Sequence, residues 1–144
     1  TKNPDDLSEQ ARKRLGVYFV PNFEAEPGLI KAITLDPRLE QHMLTRVKRT
    51  QFEVGLMMDP ATTQHILAEL TPLIKQVTDS GQTPILLTTT ELRLAFKRFF
   101  EPSMPKLAVL AYQELPNTTQ VQSLAILRAP ASLLVENENN SQTA

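Results

Sequence analysis

The sequence predicts an α/β domain: a small mixed sheet with flanking helices, made of strand–helix–strand units and preceded by one helix left over from an upstream helical subdomain. Three observations predict it. The runs Pro84-Ile85-Leu86-Leu87 and Leu107-Ala108-Val109-Leu110 are apolar throughout, as in parallel strands covered on both faces. Between them Leu92, Ala95, Phe96, Phe99 and Phe100 recur at helical spacing. Twice, a strand-like run leads straight into Asp-Pro, at Asp36-Pro37 and Asp59-Pro60, where aspartate caps free N–H groups and proline has no N–H to lose.

The first helix begins at Pro4-Asp5-Asp6, with acidic groups near the positive end of its dipole, and runs through Leu15-Gly16 toward Val20, where Pro21 stops it. One short helix cannot bury its own apolar stripe, so residues 1–23 are expected to close a preceding helical subdomain. The polar, Pro/Gly-bearing stretch 24–28 marks the boundary, and residues 24–128 form the α/β subdomain. Residues 29–35 read as a strand, and Asp36 caps a helix whose stripe is Leu39, Met43 and Val47, with Leu44 beside it. Residues 52–58 read as a second strand, and Asp59 caps a longer helix carrying Ile66, Leu70, Leu73, Ile74 and Val77. Pro72 inside that pattern predicts a kink or break after Leu70 or Thr71, and Ser80-Gly81 ends the helix. After the strand at 84–87, Thr88-Thr89-Thr90-Glu91 reads as a capping box, with Thr88 as N-cap and Glu91 reaching back to it. The opposite face of the following helix carries Arg93, Lys97 and Arg98, and Pro102 and Pro105 end it. Residues 114–117 read as a turn and 121–127 as the last strand. The two strongest strands are expected to be parallel and joined by a right-handed crossover. Residues 129–144 are polar enough to predict a disordered tail.

Composition bounds the function. The chain has 144 residues, 41% of them hydrophobic, and a net charge of -1, which suits one compact domain and supplies a core. So balanced a charge argues against nucleic acid, whose phosphates call for a basic face. Basic residues do cluster at Arg12-Lys13-Arg14 and Arg46-Val47-Lys48-Arg49, runs that read as solvated faces. Without cysteine there are no disulfides, thiolate metal sites or thiol nucleophiles. No apolar stretch approaches the roughly 20 residues of a membrane span. The opening Thr1-Lys2-Asn3-Pro4, lacking an initiator methionine, reads as processing or as a fragment of a longer chain.

Reactive groups do not converge in the pattern. His65 and Glu69 have the helical spacing of two metal ligands, but a third is missing, so no metal site is expected. Four glycines cannot write a phosphate loop or a dinucleotide fingerprint. The predicted strands end in Thr88 and Tyr112, not in the aspartate of a response regulator, while Asp36 and Asp59 read better as caps. The residues therefore predict neither a catalytic residue nor a cofactor. Three readings remain open on composition and spacing: an interaction module, a small phosphate- or nucleotide-binding enzyme using the Thr88–Glu91 turn, and a chaperone-like adaptor with an apolar groove.

One resemblance goes further. Pro84-Ile85-Leu86-Leu87-Thr88-Thr89-Thr90-Glu91-Leu92-Arg93, then Phe100-Glu101-Pro102 and Pro105-Lys106-Leu107 to Ala111-Tyr112-Gln113-Glu114-Leu115, is similar to the last part of the FlhA/InvA/LcrD family of type III secretion export-gate proteins. The segment Ile33-Thr34-Leu35-Asp36-Pro37-Arg38-Leu39-Glu40 resembles that family's hydrophobic-Thr-Leu-Asp/Ser-Pro-x-Leu-Glu pattern, and residues 7–15 its last upstream helix. Residues 17–23 depart from the family's more polar stretch, a departure that leans toward the virulence branch. The resemblance implies the C-terminal cytoplasmic module of a bacterial inner-membrane protein that forms a ring, nonameric in family members, and performs no catalysis. It also implies partners: neighbouring copies in the ring, an ATPase stalk coiled-coil protein, chaperone–substrate complexes and a gatekeeper. The membrane would be met only through another part of the parent protein. The Arg93, Lys97 and Arg98 face is expected to attract an acidic stretch of a partner helix.

Overall fold

A computed structural model describes residues 3–133. Four parallel strands make the main sheet in the order β5-β4-β1-β6, where β1 is Leu29–Leu35, β4 Ile85–Thr88, β5 Ala108–Ala111 and β6 Gln120–Leu127. A separate antiparallel hairpin joins β2 (Val47–Arg49) to β3 (Val54–Leu56). The helices are α1 (Pro4–Phe19), α2 (Pro37–Leu44), α3 (Pro60–Asp79) and α4 (Thr90–Phe100). This is the α/β class that the alternation predicts, with β4, α4 and β5 forming its central strand–helix–strand unit.

The core has two layers because β4 alternates between them. Leu86 joins Ile33, Ile66, Leu70, Leu92, Phe96 and Phe100 on the side covered by α2, α3 and α4. Ile85 and Leu87 join Val20, Ile30, Ala32 and Leu110 on the side closed by the end of α1 and the 3-10 turn Val20–Phe23. Phe100 is the hub of the aromatic packing, tilted against Phe96 at 4.6 Å and edge-on to Phe99 at 4.9 Å.

Several local expectations meet tertiary competition. Val47 leaves the helical stripe and opens β2, opposite Leu56, because α2 ends at Leu44 and a long-range strand partner takes its main chain. The strand expected over 52–58 shortens to Val54–Leu56, since the Thr50 hydroxyl accepts from the Phe52 and Glu53 amides and turns the chain there. Helix α3 runs unbroken for 20 residues through Pro72. The proline is exposed, so the helix carbonyl it leaves without a donor is open to water. Gly81 stops α3 at a positive φ of 85°, with Gln82 donating to the Val77 carbonyl and Gly81 to that of Thr78, a Schellman closure. Beyond β6 the chain stays ordered for a further turn: Ala129 and Leu133 are buried in the core, against the tail expected from residue 129. Residues 134–144 lie outside the described residues.

Candidate functional site

The polar side chains of the domain converge on the seam where α1 meets α4, the hairpin and the 3-10 turn Tyr112–Glu114. A helix normally docks through an apolar stripe. In α1 the sides are exchanged. Asp5, Glu9, Arg12 and Gly16 turn inward, while Leu7, Leu15, Val17 and Tyr18, the last 77% exposed, face out.

Four attachments hold the inward face. Arg93, only 6% exposed, donates from Nε and Nη2 to the two Glu9 carboxylate oxygens at 2.9 and 2.6 Å. Arg98 grips Asp5 with both terminal nitrogens, and the same carboxylate accepts the Val54 amide at 2.8 Å. Arg12 lies 4.7 Å above the Phe19 ring and donates to Glu114 at 2.5 and 3.3 Å. Asn3 caps α1 by accepting from the Asp6 amide and donates across to the Thr50 carbonyl at 2.7 Å. The hydrogen bond from Arg98 draws the Asp5 carboxyl below its ordinary value, against the opposing effect of burial and with help from the Val54 amide. A cleft of about 170 Å3 opens along this seam, lined by Asp6, Glu9, Lys13, Arg49 and Glu91 among others.

The same seam closes one edge of the sheet. The Ala108 amide points inward to Pro84, so Leu107, Val109 and Ala111 turn their main chain outward. The Leu107 carbonyl accepts from Lys97 Nζ at 2.9 Å, that of Val109 from Arg93 Nη1 at 3.1 Å, and the Ala111 amide donates to Glu114 at 2.7 Å. Every one of the three is satisfied by a side chain.

This corrects the reading of Arg93, Lys97 and Arg98 as an open basic face. Arg93 is buried, Arg98 is spent on Asp5, and Lys97 is turned to the β5 edge with Glu101 at 3.9 Å. The acidic helix that Arg93 and Arg98 hold is α1 of the same chain. Glu114, read as part of a turn, is 2% exposed and joins Arg12 to the end of β5. Its sequence signal was the face formed by Asp5, Glu9, Arg12 and Gly16, which only a helical projection of charged residues would have shown.

The caps divide. Asp36 accepts from the Arg38 amide at 2.9 Å, and Asp59 accepts from the Thr62 amide and hydroxyl at 2.9 and 2.8 Å. Burial pushes Asp59 upward, but the Thr62 and His42 hydrogen bonds outweigh it and bring it to about 2. Thr88 does not cap α4. It is the last residue of β4, fully buried, and its hydroxyl donates to Glu40 at 2.7 Å. The N-cap is Thr89, without a side-chain bond, while Gln113 accepts from the Thr90 amide at 3.1 Å in its place, and Glu91 is exposed. The box pattern fails because Thr88 is drawn into the strand ladder opposite Ala111. The Glu40 carboxylate at this turn repels the phosphate that the rival reading would place there. His65 donates from Nε2 to the Arg128 carbonyl, 2.8 Å away, and among the described residues no three histidine, aspartate or glutamate side chains gather to hold a metal. No helix among the described residues is long and apolar enough to cross a membrane.

Known proteins agree with this architecture. The chain is 28% identical to the flagellar biosynthesis protein FlhA of Bacillus subtilis (strain 168) over 127 residues, which cover 88% of this chain and 19% of that protein. It is 24% identical to the low calcium response locus protein D of Yersinia pestis over 123 residues, 85% of this chain and 18% of the relative. The chain thus spans less than a fifth of the length of these relatives. The structure of the Chlamydia pneumoniae CdsV protein superposes with a TM-score of 0.76 at 27% identity, covering 88% of this chain and 36% of that one. CdsV in its complex with CdsO gives 0.73 at 29% identity, over 83% of this chain and 35% of the other. The nonameric EPEC SctV-C, seen by cryo-EM, shares the fold with a TM-score of 0.72 at 21% identity, over 88% and 37%. The FHIPEP family model matches residues 1–120, most of the sequence, and the chain belongs to the FHIPEP family.

Proposed function

We propose that this chain is the C-terminal cytoplasmic module of a type III secretion export-gate protein, serving ring assembly and the docking of export-apparatus partners, with no catalytic role. The observation that carries the reading is the likeness to CdsV over 88% of the chain at 27% identity. Two related structures, the nonameric EPEC SctV-C and the complex of CdsV with CdsO, support a ring and a secretion partner. In this reading the parent protein lies in the bacterial inner membrane and this segment on its cytoplasmic side. The ATPase stalk, chaperone–substrate complexes and the gatekeeper are its further partners.

Residues 1–23 are the end of a preceding helical subdomain in this proposal. Their support is the inversion of α1: its charged side ties it to α4, leaving Leu7, Leu15 and Tyr18 turned away from the α/β core and suited to packing on the rest of the parent. Of the basic residues on α4, Arg93 is buried against Glu9, while Lys97, tied to the Leu107 carbonyl and 3.9 Å from Glu101, and Arg98, 43% exposed beside Asp5, are the two a partner could still reach.

The test is to express the upstream region of the parent together with this chain and count subunits by native mass spectrometry. Nine-membered rings are expected; a persistent monomer at high concentration overturns the ring reading. Lys97→Gln, which removes the charge but can still donate to the Leu107 carbonyl, should weaken binding of the stalk protein, and unchanged binding removes Lys97 from the docking surface.

A further inference from the structure

The basic run Arg46-Val47-Lys48-Arg49 is divided by the hairpin it enters. Val47 pairs with Leu56 and Arg49 with Val54 on the face turned to the core, where Val54 and Leu56 are buried and Arg49 holds Asp6. Side chains alternate along a strand, so Lys48, opposite Gly55, stands on the other face. The Arg46 carbonyl accepts from the Met57 amide at 2.9 Å. That bond extends the ladder by one pair and puts those two side chains on the outer face as well.

This outer face combines charge, apolar surface and an empty place. Arg46 and Lys48 are exposed, and among the described residues neither meets a carboxylate. Met57 is exposed to 61%, and Phe52 near the tip of the hairpin to 73%. A Cβ at Gly55 would meet nothing within 4 Å, which leaves a gap opposite Lys48. The hairpin's own acid, Glu53, is at the tip, and its charge bears on Arg98.

Two uncompensated positive charges select an acidic occupant, and the apolar groups and gap beside them select one that also carries an apolar side chain. Residues two apart on a strand stand about 6.6 Å from each other. Carboxylate-bearing residues one helical turn apart are separated by roughly 5–6 Å, close to the same spacing. The chain already makes one such pairing: α1 offers Asp5 and Glu9, four residues apart, to Arg98 and Arg93. Nucleic acid and anionic membranes call for a wider basic field than two residues in a chain of net charge -1.

We propose that the outer face of the β2–β3 hairpin docks an acidic helix of a partner protein. Its carboxylates, one turn apart, meet Arg46 and Lys48, and an apolar side chain lies over Gly55 beside Met57. The surface shares no residue with the Lys97 surface and needs no ring, so it stands or falls apart from the assembly proposed above.

The probe is a capped, alanine-based helical peptide with two glutamates four residues apart and one leucine on the same face. It is titrated into the 144-residue chain while backbone amide shifts are followed by NMR. Shifts are expected at Lys48, Gly55 and Met57. Affinity should fall about tenfold in Arg46→Gln/Lys48→Gln, the loss of two exposed ion pairs. Lys106→Gln, which removes an exposed charge outside the hairpin, should leave affinity unchanged. A peptide of the same composition with its glutamates two apart, on opposite sides of the helix, should bind about tenfold more weakly to the unaltered chain.

The proposal is overturned by no shifts at millimolar peptide, by equal binding of the two peptides, or by an equal loss in Lys106→Gln. Shifts at the same amides from phosphatidylserine vesicles and not from the peptide would make a membrane surface the occupant. The same shifts rising with chain concentration alone would make it a second copy, and either result removes the acidic helix. The comparison of the two peptides uses the unaltered chain, so it decides the matter even if a variant is destabilised.

Discussion

Gly16 of α1 lies so close to Glu114 that a side chain at position 16 has no room: a Cβ there would stand 2.9 Å from the Glu114 carbonyl carbon and nearer still to its oxygen. The approach brings Arg12, one turn earlier, onto the buried Glu114 carboxylate, and the two contacts fix α1 against the end of β5.

Gly16→Ala should therefore push α1 off its seat and cost about 1–3 kcal/mol, the usual penalty of overpacking, despite alanine's better helix propensity. Gly55→Ala is the control, because a Cβ at Gly55 meets nothing within 4 Å. Urea denaturation of the two variants checks the difference. A Gly16→Ala protein as stable as the parent would show that the close approach relaxes freely.

Breaking the Glu9–Arg93 pair should cost more. Glu9→Ala leaves a buried guanidinium, otherwise held only by the Val109 carbonyl, without its counter-charge, and removing one partner of such a pair costs about 3–5 kcal/mol. The double variant Glu9→Leu/Arg93→Met should recover part of this and not all, because the Val109 carbonyl loses its donor at a cost of about 1–3 kcal/mol. The chemical denaturation midpoints of the single and double variants decide it, and a double variant weaker than the single one contradicts the account.

Acid should act through the aspartates. Asp59 falls from the usual 3.8 to about 2, and Asp5 and Asp36 are lowered as well. For Asp36, burial opposes the shift, and the Arg38 amide and guanidinium overcome it. A carboxyl whose folded value is depressed contributes stability that is complete above its unfolded value and is lost as pH falls through the folded one. Stability should thus be flat in these groups above pH 5 and decline between about 4 and 2. Asp59→Asn keeps a capping side chain without the charge, so its urea midpoint should fall less steeply over that window. Parallel pH profiles for the two proteins would rule Asp59 out as a contributor.

Pro72 should be a removable weakness. It is exposed within a continuous helix and withholds one amide from the ladder. Pro72→Ala restores that donor and should raise stability by about 1–3 kcal/mol, read from the thermal or urea midpoint. A loss instead would mean that the proline rigidifies the unfolded chain more than it disturbs the helix.

Sequence alone determined what depends on neighbours along the chain. Asp36 and Asp59 announce helix starts because the cap is made two or three residues away, Gly81 announces a stop, and the apolar runs at β4 and β5 need no partner to be read as covered strands. The stripe of α4 was legible for the same reason. The tertiary structure decided whatever depends on residues far apart. Val47 became a strand because Leu56 lies opposite, and Thr88 left its cap for the ladder of β5 and the carboxylate of Glu40. Arg93 and Arg98 turned from a free surface into internal ties because Glu9 and Asp5, more than 80 positions earlier, come to meet them. A charged side chain carries no local mark of its partner: Coulomb attraction and the cost of desolvation are settled by distances that only the folded chain creates.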